Sequence, residues 1–359
     1  MAKERKQLKK TKTKTITKAK PEVLTPVIEK RPKIVCIGCG TGQSTLLREL
    51  KNTNCELTAI VGVTDNGGHS GLLRKILNIP QVGDTRSCLA ALGEHGHPLT
   101  KLLNYRFATN KLEGMSIGNL MIAALALSEN SISRAVNALR KMMDVRHKIV
   151  PVSDGNTDIC AELKEGKIIV GEWDIMNREP REEIRRLFHK ESIDAHPYAL
   201  KQIEEADMIL ICPGSLRTGV ISILLAKGVT DAVRRSKARK VYICNLMTQP
   251  GQTDGFSSND HINELAAYFK SPLDYALVNT GNPDEELVKR YAKTGSEPVK
   301  VSRTVPASKV KIIKGNFVEQ LDARDSDKYN RPGKFQRQWL HYIRHDARKT
   351  IEAVMELVR

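Results

Sequence analysis

The feature that most restricts this chain is an apolar run that ends in glycines and gives way to helical spacing, twice in succession. KIVCIG (33–38) leads into the loop GCGTGQS (38–44), and STLLREL (44–50) then carries apolar residues at helical intervals. ELTAIVGV (56–63) leads into TDNGGHSG (64–71), and GLLRKIL (71–77) again has helical spacing. Short continuous apolar runs bounded by turn residues suit strands buried on both faces. Strand, glycine loop, helix, strand is the grammar of a doubly wound parallel sheet.

The same grammar returns in ADMILICPG (206–214), KVYICNLM (240–247) and LDYALVN (273–279). Helical segments are expected at 219–236 and 259–270 between them, at 84–92, 118–128 and 131–143 before them, and from about 334 to 358 at the end. HKIVPVSD and ICAELKEGKIIVGE alternate in the manner of strands around the turn Glu165-Gly166-Lys167. They predict an antiparallel hairpin that protrudes from the main sheet or caps it. The predicted fold class is therefore α/β, a Rossmann-like three-layer α/β/α arrangement with a mainly parallel sheet and a small β-hairpin excursion. Residues 31–359 read as a single α/β domain.

Residues 1–30 read as a disordered basic tail. The first twenty hold nine Lys or Arg against one Glu and almost nothing apolar. Such a segment cannot bury enough surface to order itself. It accounts for about half of the net charge of +17, so the charge is weak support for nucleic-acid binding, and no aromatic residue lies there for base stacking. No run of 18 apolar residues suggests a membrane span, and no secretory signal is read at the start. A soluble cytoplasmic protein is the expectation. The seven cysteines fit that setting. Cys36, Cys212 and Cys244 sit in strand candidates and read as small buried apolar groups. The spacing Cys36-Ile-Gly-Cys39 has no second pair at zinc-site distance, so no metal site is expected.

Six glycine-rich or small-residue loops at strand ends or helix starts carry the candidate chemistry. In the first, Gly40, Thr41 and Gly42 allow a phosphate to approach backbone N–H groups at a helix N-terminus. It lacks the third glycine of a dinucleotide fingerprint, because residue 43 is Gln, and it is no Walker loop. In the second, Asp65, Asn66, Gly67, Gly68 and Ser70 face the same crevice, since adjacent strand ends make one site. Asp65 suits a ribose hydroxyl or a metal ion, and equally an Asx turn. In the third, Asp84 fits a helix N-cap and Arg86 sits in a first turn, where a cation opposes the helix dipole unless an anion joins it. Either a bound phosphate or an ordinary salt bridge answers that placement. Asn119 opens a further helix. Gly214 and Ser215 follow the strongest strand candidate, and Asn245 and Thr248 follow the next.

These segments, in this order, resemble the gluconeogenesis-factor family, also called YvcK or GlmR, which is related to the 2-phospho-L-lactate transferase CofD. The resemblance spans about residues 33–315 and is carried by TDNGGHSGLLR, VGDTRSCLAAL, SIGNLMIAAL, CPGSLRTG and CNLMTQPGQTDGFSSNDH. Arg344-His345-Asp346 resembles the family's terminal Arg-His element. The resemblance implies a Rossmann-like fold, UDP-N-acetylglucosamine binding and a role in directing carbon to cell-envelope precursors. It implies phosphate and nucleotide contact at Gly40, Thr41, Gly42, Asp65, Gly67, Gly68, Ser70, Gly214, Ser215, Asn245 and Thr248. Three positions depart from the pattern. Cys39 replaces a Gly, Asn66 replaces a second Asp, and Arg217 stands where Tyr is usual. Asn66 removes a carboxylate from any metal site, and Arg217 is expected to alter base stacking or add a phosphate contact.

Three functions compete. The first is a non-catalytic sensor that binds a UDP-sugar and acts on a regulated enzyme partner, as a monomer or a homo-oligomer. The second is a CofD-like transferase using a nucleotide-diphosphate donor, with Mg²⁺ on Asp65 or Asp84; His69 and His261 are candidate bases by loop position alone. The third is an NAD-type dehydrogenase, which the incomplete fingerprint disfavours.

Overall fold

The computed structural model describes residues 31–108, 112–302, 309–320 and 342–358. The expectations for 1–30 and for helix over 334–341 lie outside them. The strands are β1 (Lys33–Gly38), β2 (Glu56–Val61), β3 (Lys148–Pro151), β4 (Ile159–Leu163), β5 (Ile168–Val170), β6 (Ile184–His189), β7 (Met208–Ile211), β8 (Arg239–Ile243), β9 (Tyr275–Asn279) and β10 (Lys311–Gly315). The helices are α1 (Gly40–Leu50), α2 (Gly68–Leu77), α3 (Gly83–Leu92), α4 (Pro98–Asn104), α5 (Ile117–Glu129), α6 (Ile132–Met142), α7 (Glu172–Asn177), α8 (Pro197–Glu204), α9 (Ser222–Leu224), α10 (Val229–Arg235), α11 (Ser258–Phe269), α12 (Glu285–Ala292) and α13 (Ala347–Glu356).

Seven strands form one sheet in the order β10-β9-β8-β7-β1-β2-β3. Every neighbouring pair is parallel. The chain starts in the middle at β1, winds outward through β2 to β3, then returns to β7 on the other side of β1 and winds outward again. The reversal point therefore lies between β1 and β7. Alternation along each strand divides the core in two. Ile34, Cys36, Leu57, Ala59, Met208 and Leu210 join one apolar cluster with Leu46, Leu89, Ile122 and Val354 from α1, α3, α5 and α13. Val35, Ile37, Ile60, Ile209 and Ile211 join another with Ala199, Val233 and Ile262 from α8, α10 and α11. That period of two, with helices against both faces, gives the three layers.

Three expectations need correction. HKIVP is no part of the excursion: β3 is the edge strand of the main sheet, paired in parallel with β2. The excursion is a three-stranded antiparallel sheet in the order β5-β4-β6, because β6 (IRRLFH) adds to the hairpin. Residues 219–236 are not one helix. A π-helical turn at Leu216–Ile221 runs into α9, and the chain bends at Gly228, whose φ is +93°, before α10 starts. Gln43 explains the broken fingerprint. It is wholly buried, and its amide donates to the carbonyls of Cys36 (2.9 Å) and Ile60 (3.1 Å), tying β1 to β2 beneath the first loop.

Candidate functional site

The loops after β1, β2 and β7 open on one cleft at the reversal point, where α/β sheets offer a crevice. It has two adjoining hollows. One, of about 200 Å³, is bordered by Thr41, Asp65, Asp84, Glu172, Ser215 and Gln249 among others. The second, of about 190 Å³, is bordered by His69, Ser70, Arg86, Arg106 and Asn119 among others. Gly40, Thr41, Asp65 and Asp84 border both.

Four helices start here, α1, α2, α3 and α5, and in none does the N-cap residue's own side chain bond the first turn. Their leading N–H groups supply positive partial charge to the cleft. Gly40 (φ +61°) and Gly68 (φ +53°) take left-handed backbone as α1 and α2 begin, a conformation that other residues adopt at a cost. Val82 holds the N-cap position of α3, so Asp84 lies in the first turn instead of capping it.

The two hollows share Asp65 and Asp84 and differ in their other charges: Glu172 borders only the first, Arg86 and Arg106 only the second. In the first, Asp65 Oδ1 accepts from the Gly67 N–H at 2.7 Å, which is the Asx turn, while the residue still borders the cleft. Burial and the nearby Asp65 carboxylate push the Asp84 carboxyl up to about 7, against the pull of the Gly40 N–H and Arg86. In the second, burial and the facing Arg106 lower Arg86 to about 10. Burial lowers Arg106 as well, and burial with Arg106 nearby lowers His69. Arg86 forms no salt bridge in the described structure. It donates to Leu103 O and Asn104 Oδ1, both at 3.3 Å, and to Ser87 Oγ at 2.8 Å. Its Nε is buried without a hydrogen-bond partner, as is Asn119 Oδ1. Asn119, only 3% exposed, donates its Nδ2 to Ser70 Oγ at 3.2 Å.

Of the residues singled out by sequence, Gly40, Thr41, Gly42, Asp65, Gly67, Gly68, Ser70, Asp84, Arg86, Asn119, Gly214 and Ser215 border the two hollows. Four do not. Asn66 accepts from the Trp173 N–H at 2.8 Å. Asn245 grips Gly214 through both its backbone groups. Thr248 is tied to Ser296 and Glu297. Arg344 accepts at its carbonyl from the Glu319 N–H and lies near Arg48 and Tyr291. Arg48 is eight residues along α1 from Gly40, roughly 12 Å at a helix's rise. Arg217 pairs with Glu264 at 2.6 Å and stacks over Phe256, and it borders neither hollow. His261 is fully buried, with Nδ1 against Ser257 O.

Sequence reasoning missed Gln81, Arg106, Glu172, Thr218 and Gln249 as cleft residues. Gln249 and Thr218 lie within quoted signature segments, so their signal was present. Glu172 belongs to α7 of the excursion and had none. Gln81 Nε2 donates to Gly62 O at 2.8 Å, and its Oε1 accepts from the Asp84 N–H. Among the described residues no group of three or more His, Cys, Asp or Glu side chains is arranged to hold a metal ion, and no helix is long and apolar enough to cross a membrane. All seven cysteines are free and buried.

The profile of the family described as 2-phospho-L-lactate transferase CofD matches residues 34–318. The chain belongs to the CofD family. A Thermotoga maritima relative of this CofD-family chain is 40% identical over 328 residues, covering 91% of this chain and 99% of its own. The gluconeogenesis factor of Bacillus subtilis is 35% identical over 333 residues, covering 92% and 99%. A crystal structure of a UPF0052-family protein from Bacillus halodurans superposes with a TM-score of 0.82 at 35% identity, covering 90% of this chain and all of the other. The expected resemblance to gluconeogenesis factors and the α/β fold are both upheld.

Proposed function

We propose that the cleft binds UDP-N-acetylglucosamine, and that the chain is a cytoplasmic regulator linking carbon metabolism to cell-envelope precursor synthesis through a partner enzyme. The observation that carries this reading is the meeting of four helix N-termini with Arg86 and Arg106 at the sheet's reversal point. Helix N-terminal N–H groups and two guanidiniums form a receptor for a diphosphate. Asn119, Ser215 and Gln249 add polar groups of the kind that hold sugar and base. NAD is the poorer candidate, since Gln43 fills the third-glycine position with a buried amide. Calorimetry tests the proposal. UDP-N-acetylglucosamine should bind more tightly than GDP or NAD; tighter NAD binding refutes it.

A second reading rests on Asp65 and Asp84. Two carboxylates beside a diphosphate site suit Mg²⁺, which is commonly held by one or two carboxylates together with substrate phosphates. The ion would neutralise charge on a leaving nucleotide. Asp65 and Asp84 would hold it, and Arg86 and the helix N-termini would orient the donor. Mg²⁺-dependent release of UDP from a UDP-sugar, or of GMP from a guanylylated phospholactate donor, would favour transfer over sensing.

A further inference from the structure

Trp173 is 40% exposed yet stands on a rigid base beside the cleft. Gly171, at φ +95°, turns the chain out of the excursion, and α7 begins at the next residue. The short helix is pinned on several sides. Glu172 accepts from Thr218 Oγ1 at 2.9 Å. The Trp173 N–H donates to Asn66 Oδ1 at 2.8 Å. Ile175 and Met176 are buried, and Arg178 bonds both the Ile175 carbonyl and, at 2.6 Å, that of Gly251. The indole reaches the second glycine loop: its Cε3 lies 3.8 Å from the place a Cβ on Gly67 would occupy. A large aromatic ring thus sits next to the loop that starts α2, with its backbone already fixed.

We infer that Trp173 is the stacking platform for the nucleobase of the bound nucleotide, an inference that rests on the UDP-linked reading of the cleft. Aromatic side chains accept a base by its face, whatever the base. An indole on a backbone already fixed adds affinity at reduced entropic cost, because only its side-chain rotamers remain to be set. Phosphates of a nucleotide stacked there would fall toward Gly67, Gly68 and the start of α2. The Asn66 side chain would then act in binding only through Trp173, by holding its N–H.

The test uses the full chain with its other tryptophan, Trp339, replaced by Phe, so that fluorescence reports Trp173 alone. UDP and UDP-N-acetylglucosamine should both quench that emission, and N-acetylglucosamine 1-phosphate should not. In calorimetry, Trp173→Ala should weaken UDP about tenfold, within the range for loss of one base–aromatic stack, while Trp173→Phe keeps most of the affinity. Circular dichroism of the Phe variant guards against a folding artefact. Three results count against the inference. If Trp173→Ala binds UDP as well as the wild type does, the platform is elsewhere and the UDP reading stands. If N-acetylglucosamine 1-phosphate alone quenches, the ring stacked there is the sugar. If the wild type binds no UDP-linked ligand, the parent reading falls and this inference with it.

Discussion

Asn245 holds Gly214 by both ends of its peptide unit: Nδ2 donates to the Gly214 carbonyl at 2.7 Å, and Oδ1 accepts from the Gly214 N–H at 3.2 Å. The β8 loop thereby fixes the β7 loop, and Gly214, at φ +158°, borders the cleft. Asn245→Ala should lower stability by about 1–3 kcal/mol, because it strands part-buried polar groups. It should also weaken nucleotide binding severalfold without touching the ligand. Chemical denaturation and calorimetry on the same variant check both; unchanged binding would show that the Gly214 loop holds its shape alone.

Gly42 and Gly40 should respond very differently to a methyl group. A Cβ on Gly42 would come within 2.0 Å of the Pro213 carbonyl oxygen, where backbone meets backbone. A Cβ on Gly40 would meet nothing within 4 Å, and only its φ of +61° is unfavourable. Gly40→Ala should therefore cost about 1–2 kcal/mol, the strain of one left-handed residue. Gly42→Ala should cost clearly more, because two loops must separate. Equal melting temperatures for the two variants would contradict this packing.

The Asp84 carboxyl, raised to about 7 by burial and by Asp65, makes a signed prediction. The folded state holds its proton more tightly than the unfolded chain, so stability drops as pH rises from about 4 through 7. Asp84→Asn should raise stability by at least about 1 kcal/mol at pH 8 and by little at pH 4. Thermal melts at the two pH values decide it. A larger gain at pH 4 would reverse the sign.

His345 is 8% exposed, donates Nε2–H to Cys244 O at 3.2 Å, and is lowered by burial to about 4. The unfolded chain takes up a proton near the ordinary histidine value and the folded chain does not. Stability should therefore be lost as pH falls from about 6.5 to 4, by on the order of 3 kcal/mol from this group. His147, also lowered by burial to about 4, acts in the same direction. His345→Gln keeps a donor and removes the titration, so its stability should fall less steeply with acid. Parallel curves would remove His345 as a cause.

The five interior strands of the sheet were legible because apolar runs such as KIVCIG and MILIC are buried on both faces. Edge and excursion strands were harder. β6 (IRRLFH) and β10 (KIIKG) interleave charges with apolar residues, and β3 follows the alternation of a hairpin although it pairs in parallel with β2. Within the cleft, glycine loops announced themselves through what the backbone needs. Arg106 and Glu172 did not, since each borders the cleft through long-range packing that no local spacing encodes. The signature around Asn245 and Thr248 was visible as a motif. Its motif could not separate side chains that border the cleft, such as Gln249, from those that brace the loops behind it.

Glu172 in one hollow and the guanidiniums of Arg86 and Arg106 in the next make the cleft mouth an electric dipole. Such a dipole exerts a torque on an approaching molecule within about 10 Å, the screening distance in 0.1 M salt. A ligand with one anionic end would arrive already turned toward Arg86 and Arg106. Added salt should therefore slow its association while leaving its departure almost unchanged.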